Sequence, residues 1–235
     1  MILPSNFSDF SITDLWAVTF LVFAWLGIGW CVEHPPTHYP SVSRIMQSYR
    51  REWMRQFVSR QPRIFDATIM DSLRQGTSFF ASACMIAIGG GVALIGNTDR
   101  LQGVASDLSL LSDATAVWEV KILTTLLFVT NAMLKFVWSH RLFGYCAILM
   151  AAVPNDPSDP AAYPRAAQAA EVNIHAARSF NRGLRSVYFA LAALGWLLGP
   201  WGLAAATLAT VFVTLRREFA SRSRRILIDG LPLAD

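Results

Sequence analysis

The chain has 235 residues, 54% of them hydrophobic and only 15% charged, which excludes an ordinary soluble domain, where about a quarter of residues are charged. The net charge of +4 raises nucleic acid as a partner, yet the basic residues flank apolar segments instead of forming a soluble, aromatic-interleaved patch, so that class is excluded too. Cys31, Cys84 and Cys146 are far apart, with no CxxC and no zinc-ligand spacing, so they read as small apolar packing residues.

The first apolar segment, about 14–32, ends where Glu33, His34, Pro35 and Pro36 combine charge with two helix breakers. No Lys or Arg precedes it, and no small-residue cleavage site follows Cys31, so it is expected to be retained as a span. Between Ser41 and Arg60, Val42, Ile45, Met46, Tyr49, Trp53 and Phe57 recur at three- and four-residue steps, with Arg44, Arg51 and Arg55 elsewhere around the helix. This amphipathic helix either lies on an anionic leaflet or caps the bundle.

A second span is expected at about 76–96. It is rich in Ser82, Ala83, Ala87 and Gly89–Gly91, small residues that let helices approach closely in lipid. A third covers about 118–140 as a helix reaching about 153, because nothing breaks it before Pro154. Pro154–Pro164 reads as a loop, after which an Ala-rich helix starting near Pro164 runs into the last apolar block, Val187–Leu215.

Arginine placement decides how that block is divided. Seven arginines lie between Glu33 and Gln75, one between Asn97 and Val117, five between Arg141 and Arg185, and five between Arg216 and Arg225. A hairpin at Gly199, Pro200, Trp201 and Gly202 puts 17 of the 18 on one side, as the excess of Lys and Arg in cytoplasmic loops requires.

The fold expected is therefore all-α: a polytopic transmembrane helical bundle of five spans, or four if Val187–Leu215 is one kinked helix, with cytoplasmic amphipathic helices. The last two spans fall at about 184–199 and 201–216, and 33–75, 141–183 and 217–235 are cytoplasmic, all within one membrane domain. The bacterial inner membrane is the expected location, with the N-terminus and the acidic Asn97–Val117 loop outside and the C-terminus in the cytoplasm.

Two groups of residues could carry function. Both lysines lie in the third span, where Lys121, Thr124, Asn131, Lys135 and Ser139 share one helical face. Such a stripe suits an ion or proton pathway, because polar groups in hydrocarbon turn toward a wet interior. Equally, the lysines stand about 21 Å apart and can snorkel to opposite interfaces, with Asn131 as interhelical glue. In the helix entering the fourth span, His175, Arg178, Arg182 and Arg185 follow Glu171 along one ridge, with Asn181 at its flank. Guanidinium forks there match phosphate oxygens, or the charges serve topology alone. His34 and His38 are separated by Pro35 and Pro36, which removes the helical ligand spacing, so no metal or other cofactor is expected. No P-loop, dinucleotide fingerprint, GxSxG, HExxH or paired intramembrane carboxylates appear, so enzymatic activity is not expected.

Two stretches, Tyr49–Ser82 and Asn173–Gly202, resemble the bacterial and plant membrane proteins of domain-of-unknown-function family 599. The resemblance rests on Arg50, Trp53 and Met54, on Asp71 and Arg74, and on the SFNRGLR run at Ser179–Arg185. It implies an integral membrane protein and no particular activity, and it makes these arginine, tryptophan and asparagine positions a pattern rather than scattered topogenic charge. The leading expectation is a non-enzymatic accessory, scaffold or assembly subunit whose Arg-rich face docks anionic lipid headgroups, a partner membrane protein or another copy of itself. A small oligomeric transporter or channel using the stripe is the alternative.

Overall fold

The computed structural model describes residues 10–97 and 115–229, and every regular element among them is helical. They are α1 (Ile12–Glu33), α2 (Val42–Ser59), α3 (Ile64–Ile95), α4 (Thr115–Ala151), α5 (Ala162–Leu194), a 3₁₀ turn (Gly195–Leu198), α6 (Pro200–Phe219) and α7 (Arg222–Asp229). The expected exported loop with Asp99, Asp107 and Asp113 lies outside the described residues.

Local chemistry sets the helix ends. Ser11 and Asp14 bond reciprocally across the first turn of α1, each side chain accepting from the other's backbone N–H at 3.2 Å. Ser41 caps α2 by accepting from the Arg44 N–H, while its own hydroxyl donates to the carbonyl of Val32 at 2.9 Å. One fully buried serine thus serves the end of one helix and the start of the next. α1, α3 and α4 are long and apolar enough to cross a membrane, and α4, with 37 residues, is about 55 Å long against a hydrocarbon core of roughly 30 Å.

The last apolar block is two helices. Gly199 takes φ 91°, a left-handed conformation open to glycine, and Pro200 opens α6 where a missing N–H costs nothing. A Cβ added at Gly195 would lie 2.8 Å from the Ala206 Cβ, and one at Gly202 would lie 2.5 Å from the Gly195 carbonyl oxygen. In a continuous helix, residues 195 and 206 would stand about 16 Å apart, so the chain folds back here.

The chain divides into two compact units. The first draws on Met1–Trp30, Ala83–Ala132 and Leu184–Thr214, the second on Cys31–Ser82, Met133–Gly183 and Leu215–Asp235. In the first, Leu21, Phe189 and Leu203 are fully buried, and Phe128 meets Trp25 edge-on at 5.3 Å. Large apolar side chains also point outward, among them Trp16, Phe23, Leu127 and Trp201, each at least 70% exposed, as suits a surface solvated by lipid.

The second unit has a core in which Met54, Phe57 and Val58 of α2 pack with Met70, Phe143 and Met150 and with the alanines of α5. The apolar residues of α2 are therefore spent on protein. The rings of Phe80, Phe136 and Phe180 meet with centres 5.3–5.6 Å apart, and Phe136 sits so close to Gly183 that a Cβ there would come within 2.7 Å. α7, which no periodicity announced, lies against α2, with the Tyr49 hydroxyl donating to the Leu227 carbonyl at 3.1 Å.

Candidate functional site

Two side chains of the polar stripe on α4 bond to α5. Asn131 donates to the Ser186 hydroxyl in the first unit. In the second, Ser139 donates to the Ala176 carbonyl at 2.7 Å, and the carbonyl of half-buried Lys135 accepts from Ser179 at 2.9 Å. Thr124 bonds back to the Val120 carbonyl at 2.9 Å, the local alternative open to a threonine in a helix. Lys121 does not snorkel outward: it is 2% exposed, with its ammonium 5.4 Å from the ring centre of Trp118 one turn earlier.

The arginine-rich group resolves into several separate locks within the second unit. Arg50 on α2 donates to Oδ1 of buried Asn173 on α5, and burial pushes the Arg50 guanidinium below the ordinary arginine range. Trp53 donates its indole N–H to Asp66 at 2.7 Å, and Arg60 pairs with the same carboxylate, which is fully buried. Arg182 pairs with Glu33, and Asn181 reaches the Ser43 hydroxyl at 3.4 Å. Ser43 in turn grips Glu218 through its N–H and its hydroxyl, both at 3.0 Å.

Arg185, the last residue of the ridge, is buried and belongs to the first unit. Glu171 pairs with Arg51 at 2.6 Å, and that hydrogen bond, with weaker help from His175 and Arg178, holds its carboxyl below the ordinary glutamate range. His175 is exposed and Arg178 half-buried, which leaves these two on the open side of α5.

Asp71 and Arg74 lie elsewhere, on the wall of a cleft of about 460 Å³ between α3 and α4. Arg63 and Asn155 share its polar rim, and Met70 and Met150 line its apolar part. Asp71 accepts from Gln75 at 2.8 Å, whereas Nε of Arg74 is buried without an acceptor. Among the described residues, no group of three or more His, Cys, Asp or Glu could hold a metal ion.

The residues that sequence reasoning missed are Asp66, Asn173 and Arg63. Asp66 had a signal, an acidic residue in the first turn of α3, but its partners lie 13 and 6 residues earlier, outside any helical spacing. Arg63 holds α3 to the end of α4 by donating to the carbonyls of Val153 and Pro154, at 2.9 and 2.8 Å.

Among the described residues every regular element is helical and three helices are long and apolar enough to cross a membrane, and with apolar side chains turned outward along them they define a membrane protein. The chain belongs to the family described as protein of unknown function, DUF599, whose model matches residues 16–223. No curated protein and no solved structure matches it.

Proposed function

We propose that this protein is a non-enzymatic accessory or scaffold subunit of the bacterial inner membrane, with an Arg-rich cytoplasmic unit that docks anionic lipid headgroups or an acidic partner. The observation that carries this reading is the bonding of the Asn131 and Ser139 side chains to α5, which supports the stripe as a helix–helix seam over a pathway. α1, α3, α4, the apolar end of α5 and α6 are the five spans, with the N-terminus outside and 17 of 18 arginines on the cytoplasmic side. His175 and Arg178, open on α5, are the residues offered to a partner or to headgroups.

Purification from native membranes in mild detergent tests the reading. Co-purifying subunits or tightly held anionic lipid are expected, with the amount reduced in Arg178→Gln. A lone monomer indifferent to lipid, or ion flux in liposomes that vanishes when Lys121 and Lys135 are both replaced by Met, would overturn it in favour of transport.

A further inference from the structure

We infer that the cleft between α3 and α4 is a binding site for a phosphate group of net negative charge, with Arg74 as its principal ligand. This rests on the docking reading above and adds a second anion site to the one offered by His175 and Arg178. Arg63 and Arg74 both line the cleft, and neither belongs to an ion pair found among the described residues.

The two arginines are held differently. Arg63 donates to the carbonyls of Val58, Val153 and Pro154 and sits 4.5 Å from the Phe57 ring centre, so its position is fixed while its charge is not neutralised. Arg74 makes no side-chain hydrogen bond among the described residues, and both arginines keep a buried Nε with no acceptor, a donor that is costly to leave unmade. Two guanidiniums against the single carboxylate of Asp71 leave one positive charge, which suits a phosphodiester carrying one negative charge. A planar guanidinium offers parallel N–H donors spaced for two phosphate oxygens. Asp71 and Asn155 remain to bond hydroxyls beyond the phosphate.

The rest of the cleft favours an amphiphile. Met70, Met150 and Ala147 give it apolar walls, and from Gly76 onward α3 enters its apolar stretch, so Arg74 stands at the edge of that stretch. About 460 Å³ is enough for a headgroup and its glycerol, within the usual range of roughly 300–1,000 Å³ for ligand clefts. The phosphate can belong to a lipid headgroup or to a soluble anion, and the same site chemistry serves both.

The test uses the full chain in mild detergent, with phosphatidylglycerol, phosphatidylcholine and inorganic phosphate as separate probes, read by native mass spectrometry and thermal shift. Phosphatidylglycerol is expected to be retained over phosphatidylcholine, with retention falling about tenfold or more in Arg74→Gln and partly recovering in Arg74→Lys, which keeps the charge without the fork. Circular dichroism checks that both variants keep their helices, and the Lys variant carries the test if the Gln variant does not. Displacement of the lipid by millimolar phosphate identifies a soluble anion as the occupant; no displacement identifies the headgroup. Wild-type retention in both Arg74 variants, or equal retention of the two lipids, overturns the site. Loss in Arg178→Gln alone overturns the cleft and leaves the broader docking reading standing, whereas a wild-type protein that holds none of the probes overturns the cleft and its lipid-binding basis together.

Discussion

Asp66 concentrates the polar energetics of the second unit in one side chain. It is fully buried, it accepts from Trp53 and Arg60, and its second oxygen has no partner. Asp66→Ala leaves an indole N–H and a partly buried guanidinium without their acceptor, so it is expected to destabilise by about 2–4 kcal/mol, read as a lowered unfolding midpoint in detergent. Glu171 is the opposite case. Arg51 holds its carboxyl below the ordinary glutamate range, so the pair stabilises the fold above the unfolded-state value, and that contribution disappears as pH falls through the folded one. Both side chains are about half exposed, so solvent reduces the effect to about 0.5 kcal/mol. Glu171→Gln is expected to match wild type in acid and to be slightly less stable near neutrality. Such pairings were not readable from spacing, because each joins residues on different helices.

Helix boundaries were far more legible, because Pro, Gly and capping residues act locally. The two prolines after α1 and the Gly199–Pro200 break fall where the sequence places them. The surroundings of each helix were not legible. The spacing of Ile45, Trp53 and Phe57 identifies a face on α2, but lipid and protein both accept it, and only the three-dimensional packing shows α5 alanines against it. The turn after α5 gives a sharp test. Gly199→Ala puts a Cβ into a left-handed conformation and is expected to cost about 1–2 kcal/mol. Gly202→Val meets backbone 2.5 Å away and is expected to cost more, about 2–3 kcal/mol, with the larger fall in thermal stability. In the α4–α5 seam, Ser139→Ala leaves a buried carbonyl short of a donor and is expected to cost about 1 kcal/mol.

For the whole molecule, composition alone revealed lipid as the solvent, and the outward-facing Trp16, Phe23 and Trp201 are the reason the apolar fraction is so high. Span count and orientation rest on arginine placement, and a C-terminal reporter is expected to be active only on the cytoplasmic side. The Ser43–Glu218 clasp also has a consequence in time. Its two halves are 175 residues apart, and Arg224 reaches Pro40 across 184. At translation rates of about 5–20 residues per second, residues 39–49 wait roughly 10–40 s for their partners. A ribosome-stalled chain ending before Leu215 should be cut by protease in that stretch, while the completed chain resists.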